Sequence, residues 1–324
     1  MRKIFPSLVI AASVSAACSA DVNVGGPRLT DDSGGSRSGG GGSTATAGST
    51  DGGSATMAGA AGDNGGTSLT GGSAGSPPAD DYSGSFKVLV LSKTLEFHHD
   101  SIPDCEMLLG TLGQTPDASM PQGTKPGSQF SVDIANDDLS QFTDDTLKSY
   151  GMLFWCSPTG PVFSSDGSRG AIGMAAIQKY VEGGGAWGGV HAASDFERTG
   201  GFPWFSNTLL GCSFNNHDSD GTPGTVQVEA AYAAHPVMRG VPPTWNTHDE
   251  WFYMNRDVGL LPDFQVLAKL TIDQRPVVWI KQLGTANNGR MFYTIRGHNP
   301  TVYQEPDFRR LVLNGILWAT HRLD

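Results

Sequence analysis

Three histidines in this sequence stand a few residues after apolar segments of strand length, where side chains often do chemistry. They are His99, His191 and His298. Histidine suits proton removal beside a carbonyl because its ordinary pKa lies near neutrality. Three imidazoles could equally hold a divalent metal such as zinc and leave a fourth position open for water or substrate. Their spacing leaves both kinds of chemistry open.

Residues 247–253 place two carboxylates beside three aromatic side chains. Asp249 and Glu250 are the candidate catalytic carboxylates, and Trp251 and Tyr253 are candidate substrate contacts. This composition suits sugar binding, because rings can stack on C–H faces while carboxylates accept hydroxyl protons. An interior aromatic cluster beside a solvated acidic turn would explain the segment equally well.

Three more polar residues in the loops that carry the histidines are predicted to contact substrate, namely Thr94, Ser101 and Asp195. Ser101 is equally suited to cap the following helix, and Asp195 could instead orient an imidazole or cap a turn. His217 and His235 lie in loops rich in Asn, Asp and Pro, and for both a structural role is favoured.

Alternating strand and helix patterns predict how these residues are positioned. The apolar runs do not alternate with polar residues, which indicates a mainly parallel sheet with helices on both faces. Later segments predict an antiparallel extension of that sheet. The predicted strands are residues 86–91, 130–134, 151–156 and 186–190, then 225–229, 264–270, 276–281 and 290–295. Ligands bind beyond the carboxyl ends of such strands, so the three histidines are expected at one rim of a three-layer α/β sandwich.

The N-terminal segment predicts export and a lipid anchor. Arg2 and Lys3 precede an apolar stretch of signal-peptide length, and small residues then run into Cys18 as in a lipobox, with Ser15 where leucine is usual. Residues 1–18 are therefore predicted to be a lipoprotein signal peptide, with Cys18 lipidated and the protein held at the periplasmic or outer surface of the cell envelope. Ordinary cleavage without lipidation is the alternative.

Composition separates a tether from a domain. Residues 19–85 are rich in Gly, Ser and Thr and nearly devoid of aromatic and branched apolar residues, which predicts a disordered tether. Residues 86–321 are long enough to bury one core. The net charge of -11 does not favour a nucleic-acid or anionic-membrane partner. The lipid anchor is thus the only membrane contact expected.

Three cysteines lie beyond the signal peptide. Cys105 falls on a predicted helix and Cys156 at the end of a predicted strand, which permits one disulfide and leaves Cys212 as a free thiol. The alternative is that all three are small buried hydrophobic residues.

Segments scattered through residues 86–320 resemble, in order, the signature segments of the ThuA-like family, named for trehalose utilisation. They are KT and FHHDSI within residues 93–102, YVEGGG at 180–185, GVHAASD at 189–195, AHP at 234–236, DEWF at 249–252 and GH at 297–298. His98 stands where ThuA-like sequences often carry Arg. No single segment would suffice, but their order makes the resemblance specific.

The resemblance implies a fold like that of class I glutamine amidotransferases, with a flavodoxin-like central sheet. In that fold a nucleophilic cysteine stands at a strand-to-helix elbow and its partner histidine follows the last strand. Here His191 takes the elbow position and His298 the partner position, while Pro300 stands where the third member of the triad would fall. An imidazole cannot form a thioester, so glutaminase activity is not expected.

The resemblance also implies action on a carbohydrate such as a trehalose-like disaccharide or a keto-glycoside. The predicted catalytic residues are His99, His191, His298, Asp249 and Glu250, and the three histidines are also the predicted ligands of a divalent metal such as zinc. Such an enzyme would be a hydrolase or a lyase. No GxGxxG fingerprint opens the first strand–helix turn, so no nicotinamide cofactor is expected. A non-catalytic carbohydrate-binding surface lipoprotein is the alternative function.

Overall fold

The structure is a computed structural model that describes residues 82–136, 138–283 and 289–324. The predicted signal peptide with Cys18, and the predicted tether as far as residue 81, lie outside the described residues. No helix within the described ranges combines the length and the apolar character needed to cross a bilayer.

Strands and helices alternate in the first half of the described chain, and strands dominate the second half. In chain order the elements are β1 (Phe86–Leu91), α1 (Ile102–Gly113), β2 (Phe130–Ile134), α2 (Asp144–Leu147), β3 (Met152–Cys156), α3 (Gly167–Glu182), β4 (Ala186–Val190), β5 (Phe214–His217), β6 (Thr222–Val228), β7 (Thr244–Asp249), β8 (Phe252–Met254), β9 (Phe264–Leu270), β10 (Pro276–Leu283), β11 (Gly289–Thr294) and α4 (Pro306–Ala319). Every predicted strand has a counterpart here, whereas β5, β7 and β8 were not predicted.

The main sheet has the strand order β2-β1-β3-β4-β11-β10-β9-β6-β7. Its first five strands pair in parallel, and the last four continue it in antiparallel pairs. A separate ribbon pairs β5 with β8. This is the predicted α/β architecture of a mainly parallel sheet with an antiparallel extension.

Burial explains which strands the sequence revealed. Every residue of β3 and of β4 is buried, because helices cover both faces of a parallel sheet. A polar side chain in either strand would need a hydrogen-bond partner, so apolar residues are favoured at consecutive positions. The edge strand β7 alternates instead, with Trp245, Thr247 and Asp249 pointing inward between exposed neighbours. Two of those three inward residues are polar, so the segment lacks the apolar signal of a strand.

Chain direction brings the functional loops to one edge of the sheet. β1, β4 and β11 are mutually parallel, so the loops after them leave from the same edge. Four antiparallel steps from β11 to β7 restore that direction, and β7 therefore ends at this edge too.

At its C-terminal end the domain extends slightly beyond the predicted boundary at residue 321, because Leu323 is fully buried.

One disulfide joins Cys105 of α1 to Cys156 at the end of β3, and Cys212 is buried and free. The sequence had left this pairing open. The bond closes a loop of 51 residues, and we expect its removal in the double variant Cys105→Ala, Cys156→Ala to lower the free energy of unfolding by about 3–4 kcal/mol. Urea denaturation of both proteins measures the difference. If reductant did not lower the urea concentration at which half of the wild-type protein is unfolded, this expectation would be contradicted.

Candidate functional site

The three predicted histidines meet at the edge of the sheet where β1, β4 and β11 end. The Nε2 atom of His191 lies 3.1 Å from Nε2 of His99 and 3.2 Å from Nδ1 of His298. Glu250 joins them, with Oε2 at 3.1 Å from Nδ1 of His298 and 3.5 Å from Nε2 of His191. We call these residues the four-residue cluster. Residues from four distant stretches of chain thus share one point in space.

His191 is held in one orientation by the turn that carries it. Its backbone adopts the left-handed conformation at φ +47, which costs a β-carbon-bearing residue about 1 kcal/mol or more. A β-carbon at the preceding Gly189 would lie 2.8 Å from that of Ala193, so glycine is needed where the turn packs on β4. The Nδ1 atom of His191 lies 3.0 Å from the carbonyl of Ile295. Nδ1–H therefore donates to that carbonyl and leaves the Nε2 lone pair facing the cluster.

His217 holds the opposite side of Glu250. Its Nδ1 lies 2.9 Å from Oε1 of Glu250 and 2.8 Å from the carbonyl of Asp218, so its Nδ1–H donates to both. This contact turns Oε2 of Glu250 toward the cluster. The structural role favoured from the sequence is incomplete, because His217 lines the functional site. Little in the sequence pointed to His217, because β5 reads Phe-Asn-Asn-His and three of its four residues are exposed.

Asp249 is buried and positions the loop after β11. Its side chain is fully buried and accepts backbone N–H groups from Gly297 at 3.0 Å, His298 at 3.1 Å and Glu250 at 2.9 Å. The Arg296 guanidinium lies 3.7 Å away, also fully buried. The predicted catalytic assignment of Asp249 is therefore corrected to a positioning role.

The electrostatics of the cluster favour one neutral imidazole beside an ion pair. Burial, together with the neighbouring His191 and His298, holds the pKa of His99 far below its ordinary value. Burial alone would raise the pKa of Glu250, but the nearby imidazoles of His191 and His298 outweigh burial, so the pKa falls. Burial would likewise lower the pKa of His298, but its contact with Glu250 outweighs burial and raises it. The contact between His298 and Glu250 therefore favours the charged form of each group.

The four-residue cluster opens into a cavity of about 310 Å³, which we call the cleft. Its lining residues are Glu96, Phe97, His99, Ala192, Asp195, Arg198, Phe214, His217, Glu250 and Phe252. Asp195 lines the cleft and forms an ion pair with Arg198. Burial raises the pKa of the Asp195 carboxyl, and the Arg198 guanidinium opposes that rise.

Two predicted aromatic contacts lie outside the cleft lining. Trp251 is only 1% exposed, and its indole N–H donates to the carbonyl of Thr222 at 2.8 Å. Tyr253 packs its ring under the guanidinium of Arg275 at 3.7 Å and donates its hydroxyl to Asp218. Neither ring lines the cleft, and each is engaged by another part of the protein, so the predicted sugar stacking on these two rings gains no support.

The two predicted hydroxyl contacts are likewise used within the protein. Ser101 is fully buried, and its Oγ donates at 2.8 Å to the carbonyl of Gly297, which ties the start of α1 to the loop of His298. Its side chain therefore does not cap α1, and its hydroxyl is engaged within the protein. Thr94 bonds His98 at 3.1 Å between Oγ1 and Nδ1 and is absent from the cleft lining.

The donor set of the four-residue cluster fits a divalent cation. One ligand atom from each residue lies within 4.8 Å of all the others. Zinc bonds imidazole nitrogen at 2.0–2.1 Å, which places neighbouring nitrogens of a tetrahedral site about 3.4 Å apart. The observed separations of 3.1 and 3.2 Å are close to that spacing. The Nδ1 atom of His99 is buried without a hydrogen-bond partner in the described residues, so this geometry holds at an energetic cost.

A family model described as ThuA, trehalose utilisation, matches residues 87–319. Among solved structures, a ThuA-like protein from Bacteroides uniformis has 22% identity and a TM-score of 0.55, over 73% of this chain and 92% of that one. Its likeness shows a common fold and confirms the fold expected from the resemblance.

More distant structures also match. The cytoplasmic protein STM3548 of Salmonella typhimurium gives 11% identity and a TM-score of 0.45 over 72% of this chain and 98% of that one. The glutaminase domain of Trypanosoma brucei CTPS, with bound acivicin, has 12% identity and a TM-score of 0.43. The match covers 74% of this chain and 95% of that one. Among curated proteins, none matched the chain.

Proposed function

The chain belongs to the ThuA family, described as trehalose utilisation, and from that premise we propose that it is an exported, lipid-anchored enzyme acting on a carbohydrate at the four-residue cluster. The substrate is a disaccharide or keto-glycoside of the trehalose type, and the reaction is a hydrolysis or a lyase-type elimination. The observation that carries this proposal is the convergence of three imidazoles and a carboxylate at the mouth of the cleft.

We propose that His99, His191, His298 and Glu250 hold a divalent cation such as zinc. When bound, the cation would polarise a substrate carbonyl or activate water. The residues support such a site in separate ways. His191 presents Nε2 because its Nδ1–H is engaged by a carbonyl, and His99 stays neutral because it is buried. His298 would have to be neutral to hold a cation, whereas its contact with Glu250 raises its pKa, so cation uptake would release protons.

His217 extends the site toward substrate. Its Nδ1–H is engaged by Glu250 and by the carbonyl of Asp218, which leaves Nε2 as an acceptor. As His217 lines the cleft, we propose that Nε2 accepts a hydrogen bond from a sugar hydroxyl. The same imidazole would thereby contact substrate and fix the carboxylate of the cluster.

The test is metal analysis of the purified protein together with turnover assays on trehalose and its oxidised keto forms. We expect about one divalent cation per chain, loss of turnover by at least 100-fold after chelation, and recovery on adding zinc. A purified protein that held no metal and showed no turnover would defeat the proposal. Tight sugar binding without turnover would instead identify the non-catalytic binding protein.

Fractionation of cells that express the chain tests the anchor. The wild-type protein is expected in the membrane fraction, and the Cys18→Ser variant in the soluble fraction, because acyl chains on Cys18 supply the membrane affinity. Equal distribution of both proteins would reject lipidation at Cys18 and leave the cleft chemistry unaffected.

A further inference from the structure

Phe97 is a large apolar side chain that stays exposed beside the four-residue cluster. It is 63% exposed and lines the cleft. Its ring meets the ring of His99 edge-on with centroids 4.7 Å apart, and lies nearly parallel to the ring of His298 at 6.4 Å. A lone exposed aromatic means little by itself. This ring, however, stands against two of the four cluster residues.

The backbone holds Phe97 in this position. Its carbonyl accepts a hydrogen bond from Oγ1 of Thr159 at 2.8 Å, and the amide of Leu95 donates to the carbonyl of Thr159 at 2.9 Å. Thr159 is itself fully buried in the loop after β3. The ring is therefore presented by a loop fixed on both sides of it, so a ligand would not have to order it on binding.

The charges of the cleft indicate what kind of ligand fits. Arg198 is the only lysine or arginine among the described lining residues, and it already pairs with Asp195 and with Glu96. Three carboxylates and one guanidinium line the cleft, a balance that one divalent cation at the cluster would neutralise. A phosphorylated or acidic ligand would meet Glu96 and Asp195, and among the described lining residues no unpaired Lys or Arg could balance its charge.

We propose that Phe97 is the stacking platform for a neutral sugar ring, and that the cleft selects unphosphorylated over phosphorylated sugars. The C–H face of the ring lies on Phe97, and hydroxyl groups donate to the carboxylates of Glu96 and Asp195. An aromatic ring supplies apolar contact to a sugar face without demanding a hydrogen bond. This inference rests on the proposed function and names the substrate class of the same cleft.

The experiment is calorimetric titration of the zinc-loaded full-length protein with trehalose, maltose and trehalose 6-phosphate. Wild type, Phe97→Ala and Phe97→Tyr are compared, with Ile272→Ala as a matched control because Ile272 is 84% exposed in the turn before β10 and away from the cleft. We expect Phe97→Ala to weaken binding of the neutral sugar about fivefold to tenfold, and Phe97→Tyr and Ile272→Ala to stay within about twofold of wild type. Zinc content should be equal in all four proteins.

Several results would overturn the inference. Unchanged affinity in Phe97→Ala would remove the platform, and trehalose 6-phosphate binding as tightly as trehalose would remove the selection for neutral sugars. No binding of either neutral disaccharide by zinc-loaded wild type would reject the substrate class while leaving the metal centre in place. By contrast, a wild-type protein that takes up no zinc would mark failure of the proposed function itself.

Discussion

Replacing His191 with alanine is expected to abolish turnover and to weaken cation retention by more than 100-fold. His191 is the central residue of the four-residue cluster, because its Nε2 lies within 3.5 Å of an atom from each of the other three. Mutating a residue that only hydrogen-bonds to a metal ligand typically lowers metal affinity by about 10–100-fold. Removing a direct ligand is expected to lower it further. Equilibrium dialysis with zinc and steady-state kinetics measure the two effects.

His98→Ala is the matched control for this variant. His98 is adjacent in sequence to a cluster residue, is exposed, and contacts Thr94 rather than the cluster. It should retain the zinc content and turnover of wild type. A His191→Ala protein that is folded by circular dichroism and still holds one zinc ion per chain would show that the cluster is not the metal site.

Replacing Asp249 with asparagine is expected to lower the free energy of unfolding by about 3 kcal/mol, because it removes a buried negative charge beside the buried Arg296. It should also weaken zinc binding by about 10–100-fold, since the carboxylate holds the amide of His298 in place. For a domain of this size the first effect corresponds to a melting temperature lower by roughly 6–12 °C. Thermal denaturation and zinc titration are the measurements.

Asp263→Asn serves as the control for this second variant, because Asp263 is an exposed acidic residue of the described surface. Its stability should stay within about 0.5 kcal/mol of wild type. If Asp249→Asn were as stable as wild type but lost turnover, Asp249 would have a direct chemical role and the positioning assignment would fall.

The parallel half of the fold was readable from the sequence because burial on both faces forces apolar residues at consecutive positions. β3 and β4 are the clearest cases, with no exposed residue in either. The same logic placed His99 and His191 after strands of that sheet, where parallel strands share one carboxyl edge. Their meeting at a single point therefore follows from chain direction, and His298 joins them after β11.

The carboxylate side of the site depended on contacts that no local pattern reports. Asp249 and Glu250 are neighbours that both carry a carboxylate, yet one is sealed beneath a loop and the other faces the cleft. Side chains alternate in direction along an extended chain, but which direction meets the cluster is set by how β7 pairs and by the bend after it. Sequence reasoning therefore gave both the same role.

The sequence by itself determined the family, the α/β sheet and the three histidines, because each depends on residue type and on periodicity along the chain. Only the tertiary structure decided that Glu250 completes the cluster, that His217 supports it, and that Phe97 rather than Trp251 or Tyr253 offers an aromatic surface in the cleft. The physical reason is that exposure and partnership arise from contacts between distant segments. A side chain's identity fixes what it can bond, and the packing of the whole chain fixes what it meets.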